Sequence, residues 1–330
     1  MLDMINYLSQ PRADAVQDFF KTTSDKALLG CYRWCQSTAS SLLSSLNDFE
    51  ICLRNSLHFS LSDYYGTHDW LGIALLNGGI HSYSNVWINP GPASSLLNHA
   101  PHSMGTGLKK DIVRAYLSAK NKTPDGVIAE LSFGFWEKLL QGLSHSSHAS
   151  NGNGDVLIKT LEKAFPYYEI AMTAHSTTPT YGPWNQALRD RLVSLIKQIR
   201  GVRNRIGHHD SIRQIPEFDE HGVKGYVPRK PRHTINSLTL LLQRLVMIAS
   251  WIEPSLLQKV TDTDYWHKLA NLLSKDALGV YRYNGGAGDC YLKSIEYKTV
   301  VRKNKYKDSK YKKMNVRKPD EFLFIKKMYF

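Results

Sequence analysis

The chain has 330 residues, of which 42% are hydrophobic and 22% are charged, and its formal net charge is +13. This hydrophobic content can fill one large core or two, which excludes a chain that is disordered throughout. The excess of Lys and Arg favours polyanionic partners, with nucleic acid first among them.

The first half of the chain is dominated by helical periodicity. Residues 26–64 carry an apolar stripe that predicts one long helix or two abutting helices. The segment 75–106 is rich in Gly, Pro, Ser and Asn, and we predict an irregular connection there. Residues 108–120 suit a short helix. A Thr-Pro-Asp-Gly sequence beginning at Thr123 is typical of a helix start, and it predicts a helix that continues through Leu140.

The second half contains the most amphipathic segment, which predicts a helix over 185–206. Residues 214–234 hold several Pro and Gly residues and are predicted to form a loop. Apolar periodicity returns over 235–259 and again, for a shorter helix, over 263–275. After Asp276 the helical pattern ends.

These elements predict an all-α fold in residues 1–275, followed by a small basic module in residues 276–330. Within that module, residues 291–330 hold 13 Lys and Arg against four acidic residues, so most of the net charge lies there. Its Tyr, Val, Ile and Lys residues mix without helical period. Short strands and a tail that orders only on binding therefore both stay open.

The sequence predicts a reducing, cytoplasmic compartment. Cys31 and Cys35 lie one helical turn apart, and a reduced buried pair is the expected state of such cysteines. The N-terminus lacks a basic segment before an apolar run, so no signal peptide is predicted. The longest apolar stretch, Leu238 to Ile252, is too short to span a membrane, so no membrane partner is predicted. We also predict no metal and no cofactor.

The run RNRIGHH at residues 203–209 ends the helix predicted over 185–206. It places a fixed cation, an amide and a titratable imidazole close together. Arg203 can hold a phosphate, Asn204 can donate to a phosphate oxygen or orient a ring, and His208 can move a proton near neutral pH. These residue types suffice to cleave RNA without a metal. His209 follows directly, so the proton-transfer role stays open between the two histidines, and the shorter spacing favours His208.

The same run has a structural interpretation. Cations near a helix C-terminus offset the helix dipole, and Asn or Gly often ends a helix. Gly207 would let the last turn relax and let a phosphate backbone approach closely. One chain holds one complete Arg-Asn-x-x-x-His set, whereas acid–base cleavage profits from two proton-transfer groups. We therefore predict a symmetric homodimer.

Three motifs carry a resemblance to a known family. The Arg-Asn-x-x-x-His run resembles the Arg-x4–6-His catalytic motif of the HEPN superfamily of helical ribonucleases, in which Asn often stands second. The stretch LNDFEICLRNSLH at residues 46–58 resembles the signature helix of Abi-like (abortive infection, AbiD/AbiF type) proteins. The stretch AELSFGFW at residues 129–136 resembles another motif of that family. The motifs occur in the family's order, and the resemblance covers roughly residues 25–275.

The resemblance implies a HEPN-like helical bundle in residues 1–275 and a metal-independent endoribonuclease toxin that acts in antiphage abortive infection. It implies Arg203, Asn204 and His208 as the active-site set. RNA is the implied substrate, and a structured noncoding RNA that restrains the toxin is a further implied partner. The alternative is a non-catalytic protein that holds a structured RNA in a basic groove.

Two further groups are candidate site residues. Arg54, Asn55 and His58 imitate the motif at a shorter spacing. They are either part of the same groove or a buried polar network that fixes helix packing. In the C-terminal module, aromatic rings that stack on bases alternate with cations for phosphates, which predicts RNA binding. The predicted RNA-binding residues are Arg302, Lys303, Lys305, Tyr306, Lys307, Lys310, Tyr311, Lys312, Lys313, Arg317 and Lys318.

Overall fold

The computed structural model describes residues 8–71, 106–143, 156–168, 186–208 and 211–286. Within these ranges the chain is helical, and its single β-bridge pairs Phe218 with Lys224. The helices, in chain order, are α1 (Gln10–Phe20), α2 (Asp25–Tyr65), α3 (Thr106–Ser118), α4 (Pro124–Glu130), α5 (Phe133–Gly142), α6 (Val156–Ala164), α7 (Gln186–Gly207), α8 (Pro231–Ile252), α9 (Pro254–Thr261), α10 (Asp264–Leu272) and α11 (Lys275–Asn284). The prediction of an all-α fold is confirmed for this part of the chain.

Several predicted helices have the expected bounds. The apolar stripe of residues 26–64 forms one continuous helix, α2, and not two abutting ones. Helix α7 matches the predicted 185–206 within one residue at each end. Helix α3 lies where a short helix was predicted, although it ends earlier, at Ser118. Most of the predicted irregular connection 75–106 lies outside the described residues.

The prediction of one helix from Thr123 to Leu140 was wrong. Thr123 does cap α4, since its side chain accepts a hydrogen bond from the Gly126 N–H. The chain then becomes extended at Leu131, whose side chain is buried, and α5 starts anew after Ser132. Ser132 occupies the position before the first turn of α5, although its side chain makes no capping hydrogen bond.

Prolines set the boundaries that sequence periodicity missed in the second half. Helix α8 begins at Pro231, inside the predicted loop, because proline fits the first turn of a helix. The predicted helix 235–259 is divided at Glu253, because Pro254 lacks an N–H and disfavours helical backbone in the residue before it. Helix α11 lies beyond the predicted boundary at 275. The division into a domain and a module stays a prediction, since residues 287–330 are not described.

The described residues fall into two compact units, each assembled from separate pieces of the chain. The first unit takes its residues from 1–49, 201–250 and 254–330. The second takes its residues from 50–200 and 251–253. The unit boundaries therefore fall inside α2, inside α7 and near the end of α8.

The first unit is held together by contacts between α2 and the last helices. The Trp34 indole is fully buried and donates to the Leu272 carbonyl at 2.9 Å. Gly30 lies where α11 crosses α2, and a Cβ there would stand 2.0 Å from the Tyr281 carbonyl oxygen. The Tyr281 hydroxyl is 3.1 Å from the Ser37 hydroxyl. Only glycine at position 30 permits the close approach of the α2 and α11 backbones.

The second unit packs the later turns of α2 against α6. Ser56 and Ser60 donate to the carbonyls of Ala164 and Thr160, at 2.6 and 2.7 Å. The Glu137 side chain of α5 is buried, and its carboxylate lies 2.7 Å from the Arg200 guanidinium. A buried carboxylate needs such a partner.

Helix α8 begins before the apolar stretch Leu238 to Ile252, and, contrary to the prediction, it is long and apolar enough, by length and composition alone, to cross a membrane. Of its most apolar 18-residue window, 72% is buried within the protein. That burial is typical of a core helix, whose apolar side chains contact other helices.

Candidate functional site

The Arg-Asn-x-x-x-His run occupies the last turn of α7, in the first unit. Val202 and Ile206 are buried on the apolar face of this turn and fix its orientation within the unit. The backbone N–H of His208 donates to the Asn204 carbonyl at 2.9 Å, so the helical hydrogen bonding continues to the His. The periodicity of the sequence thus places His208 at the very end of a well-anchored helix.

The three side chains of the predicted active site differ in exposure. Arg203 and Asn204 are half-buried, whereas His208 is exposed. Among the described residues, the Asn204 amide and the His208 ring have no side-chain hydrogen bond. A half-buried cation and amide followed by an exposed imidazole can hold a phosphate and transfer a proton beside it.

The neighbouring Arg205 has a different role. Its guanidinium donates to the Gln214 carbonyl at 3.0 Å. This bond ties the end of α7 to the 3-10 turn Ile212–Gln214, which follows the motif. Arg205 therefore positions the chain after the motif, and Arg203 is the arginine of the candidate set.

Gly207 remains in helical conformation, because its φ angle is not in the left-handed region. The predicted relaxation of the last turn at this residue is therefore wrong. A Cβ at Gly207 would meet no described atom within 4 Å, so the helix surface beside His208 is open. That open surface keeps the predicted close approach of a phosphate backbone sterically feasible.

Arg54, Asn55 and His58 belong to the second unit, whereas Arg203, Asn204 and His208 belong to the first. The Arg54 Nε–H donates to the side-chain Oδ1 of Asn55 at 3.3 Å, and both residues are half-buried. His58 is buried, and its Nδ1 accepts a hydrogen bond of 3.0 Å from the fully buried Trp70 indole. Its Nε2 faces the exposed Asp125 carboxylate at 3.7 Å.

This geometry favours the packing interpretation of His58. Because Nδ1 is an acceptor, the ring is the neutral tautomer with its proton on Nε2. Burial lowers the His58 pKa below its ordinary value, the Asp125 charge opposes that shift, and the charges of His68 and Arg54 reinforce it. The buried, neutral His58 ring and its hydrogen bond with the buried Trp70 indole stabilise the packing of α2 against the segment that follows it.

Other predicted site residues lie outside the described ranges. These are His209 and all eleven basic and aromatic residues assigned to RNA binding between 302 and 318. In the part of the chain that is described, no three His, Cys, Asp or Glu side chains cluster as metal ligands would.

A cleft of about 250 Å³ in the first unit was missed by the sequence analysis. Its walls come from α1, α2, the end of α7 and the 3-10 turn, and they include Arg12, Tyr32, Ile206 and Arg213. Arg12 and Arg213 are 201 positions apart in the chain, so no local pattern could reveal the cleft. The one usable signal was Arg213, a cation shortly after the motif.

Comparison of the chain with protein-family models, with curated proteins and with solved structures gives no match.

Proposed function

We propose that this protein is a metal-independent endoribonuclease of the HEPN type. It acts in the cytoplasm as a toxin of antiphage abortive infection and is restrained by a structured noncoding RNA. The observation that carries the proposal is the exposed His208 at the end of α7, one turn after the half-buried Arg203 and Asn204. The Abi-like and HEPN-like motifs of the sequence supply the reaction class.

The reaction is an intramolecular transesterification of RNA. A base removes the proton of the ribose 2′-hydroxyl, and the 2′-oxygen attacks the adjacent phosphorus. The bond from phosphorus to the 5′-oxygen breaks, and an acid protonates that leaving oxygen. The products are a 2′,3′-cyclic phosphate and a 5′-hydroxyl. Arg203 stabilises the added negative charge of the pentacoordinate phosphorane, and His208 serves as base or acid.

A homodimer would complete the proton transfers. One chain supplies one imidazole of the expected spacing, and the reaction uses one base and one acid. A two-fold axis beside the ends of two α7 helices would bring two His208 rings to one phosphate. Mixing intact chains with His208→Ala chains tests this arrangement, because a mixed dimer keeps only one of the two rings. Activity that falls with the square of the fraction of intact chains supports a composite site, and activity that falls in direct proportion to that fraction, or an active isolated monomer, contradicts it.

The decisive experiment compares His208→Ala with the intact chain on RNA in the presence of EDTA. We expect cleavage with cyclic-phosphate ends by the intact chain and none by His208→Ala, which should still bind RNA. His267→Ala in α10 is the control, because it removes a half-buried histidine of the same unit that is not part of the motif. Full cleavage by a folded His208→Ala protein contradicts the assignment.

The alternative function, a non-catalytic RNA holder, predicts a different result. The intact chain would bind RNA in EDTA without producing new RNA ends, and His208→Ala would change nothing but affinity.

A further inference from the structure

The cleft borders the end of the helix that carries the motif. Ile206 forms part of its wall and stands two residues before His208. Ser211, on the same cleft, follows His208 by three residues. Two residues of an α-helix turn about 200°, so the exposed His208 ring lies on another side of α7 from the buried Ile206. A nucleotide in the cleft and a phosphate at His208 would therefore belong to one RNA strand that crosses the end of α7.

The volume and lining of the cleft suit a single nucleobase. Its volume of about 250 Å³ is below the roughly 300 Å³ at which pockets for drug-sized ligands begin. Ile206 and Ile212 supply buried apolar surface, and Tyr32 supplies a half-buried aromatic ring. Any of the four nucleobases can stack on such a ring. Gln36 is exposed at the cleft, and its amide can both donate to and accept from a base edge.

The cleft is positively charged. Arg12 and Arg213 line it, and no acidic residue does among the described residues around it. Neither guanidinium has an ion-pair partner in the described part of the chain. Arg213 and the buried Cys35 both line the cleft. Arg12 stands in the first turn of α1, where the helix dipole adds positive potential.

We propose that this cleft holds the base and the phosphate of one RNA nucleotide next to the phosphate that is cleaved. Tyr32 stacks on the base, Gln36 reads its edge, and Arg12 and Arg213 bind its phosphate. The cleft then sets the base preference of the enzyme. This inference rests on the proposed function, because it places the nucleotide beside the reaction at His208.

The first experiment measures binding of the four nucleoside 3′-monophosphates to the full chain by titration calorimetry. It requires no cleavage. We expect one base to bind best, and Tyr32→Leu to weaken its binding at least about fivefold through lost stacking. Tyr32→Phe keeps the ring and should bind as the intact chain does. Arg213→Gln should weaken binding roughly tenfold.

Lys268→Gln is the matched control for charge, because Lys268 is an exposed cation of α10 that does not line the cleft. It should bind nucleotides as the intact chain does. Three results overturn the proposal: no binding of any monophosphate at millimolar concentration, equal binding by Tyr32→Leu and Tyr32→Phe, or equal losses in Lys268→Gln and Arg213→Gln. Circular dichroism of each variant establishes that it is folded.

The second experiment separates this inference from the proposed function. RNA libraries are cleaved by the intact chain and by Tyr32→Leu and Gln36→Leu, and the bases beside the new ends are sequenced. A changed or lost base preference in these variants supports the cleft. An unchanged preference overturns it while leaving the ribonuclease assignment intact. If monophosphates bind as expected but no RNA is cleaved, the cleft is supported as a nucleotide site and the proposed function fails.

Discussion

His58 offers the sharpest test of a structural role within a candidate catalytic motif. In the His58→Leu variant, the buried Trp70 indole N–H loses its acceptor at 3.0 Å. An unsatisfied buried donor costs about 1–3 kcal/mol, and leucine roughly conserves the volume of the ring. We therefore expect the free energy of unfolding to fall by about 1–3 kcal/mol at pH 7.5.

The cost of this substitution should depend on pH. Burial lowers the His58 pKa, so the unfolded chain binds a proton more readily than the folded one. The stability that the neutral ring contributes is full above its ordinary pKa of 6.5 and is lost as pH falls towards the folded value. The gap between the intact chain and His58→Leu should shrink below pH 6.5, by up to about 1.4 kcal/mol per pH unit.

The assay is urea unfolding followed by circular dichroism and tryptophan fluorescence between pH 5.5 and 8. His208→Ala is the control, since loss of an exposed ring should change stability by less than about 0.5 kcal/mol at every pH. A gap that stays constant or widens as pH falls would refute the neutral buried ring. So would loss of RNA cleavage by a His58→Gln protein of unchanged stability, because that result assigns His58 to the chemistry.

Three further outcomes are expected. Burial raises the Asp69 pKa to about 7, so the stability that its protonated form contributes is lost as pH rises from about 4 through 7. In urea titrations, Asp69→Asn should therefore be more stable than the intact chain by about 1–2 kcal/mol at pH 8, and this difference should disappear at pH 4. Gly30→Ala should lower the melting temperature, because the new Cβ would clash with α11 and cost about 1–3 kcal/mol of stability. Gly279→Ala, whose Cβ would meet no atom within 4 Å, should instead raise stability by about 0.5–1 kcal/mol. Truncation after Gly288 should keep the helical circular dichroism spectrum and weaken the salt dependence of RNA binding. Each phosphate that the basic segment neutralises contributes about −0.7 to the slope of log affinity against log salt concentration. An unchanged slope would show that the basic segment does not hold RNA.

The helices that sequence periodicity predicted well are those with a continuous apolar face. The apolar stripe of α7 predicted both ends of the helix within one residue, because the described apolar side chains of that stripe are buried. Helix α11 was missed because Gly279, Tyr281, Arg282 and Tyr283 obscure its period. Its ends were nonetheless readable: Ser274 caps its start, and Gly285 ends it in the left-handed conformation.

The site was only partly predictable for a different reason. The exposure of His208 follows from its position one residue past the last helical turn. The burial of His58 depends on Trp70, which lies twelve residues away beyond the end of α2 and donates to the ring. The cleft depends on α1 and α2 meeting the 3-10 turn, and such non-local packing leaves no spacing in the sequence.

The interleaving of the two units along the chain has a consequence for synthesis on the ribosome. Almost the whole second unit, residues 50–200, has emerged before the first unit's middle segment begins at residue 201. Residues 1–49 must therefore wait, with their apolar helix faces unsatisfied, until the segments that complete their core are translated. Because domains fold as their chain becomes available, the second unit should form first and the first unit last. The end of α7 belongs to the late unit, so the proposed active site would form only when synthesis of the chain is nearly complete.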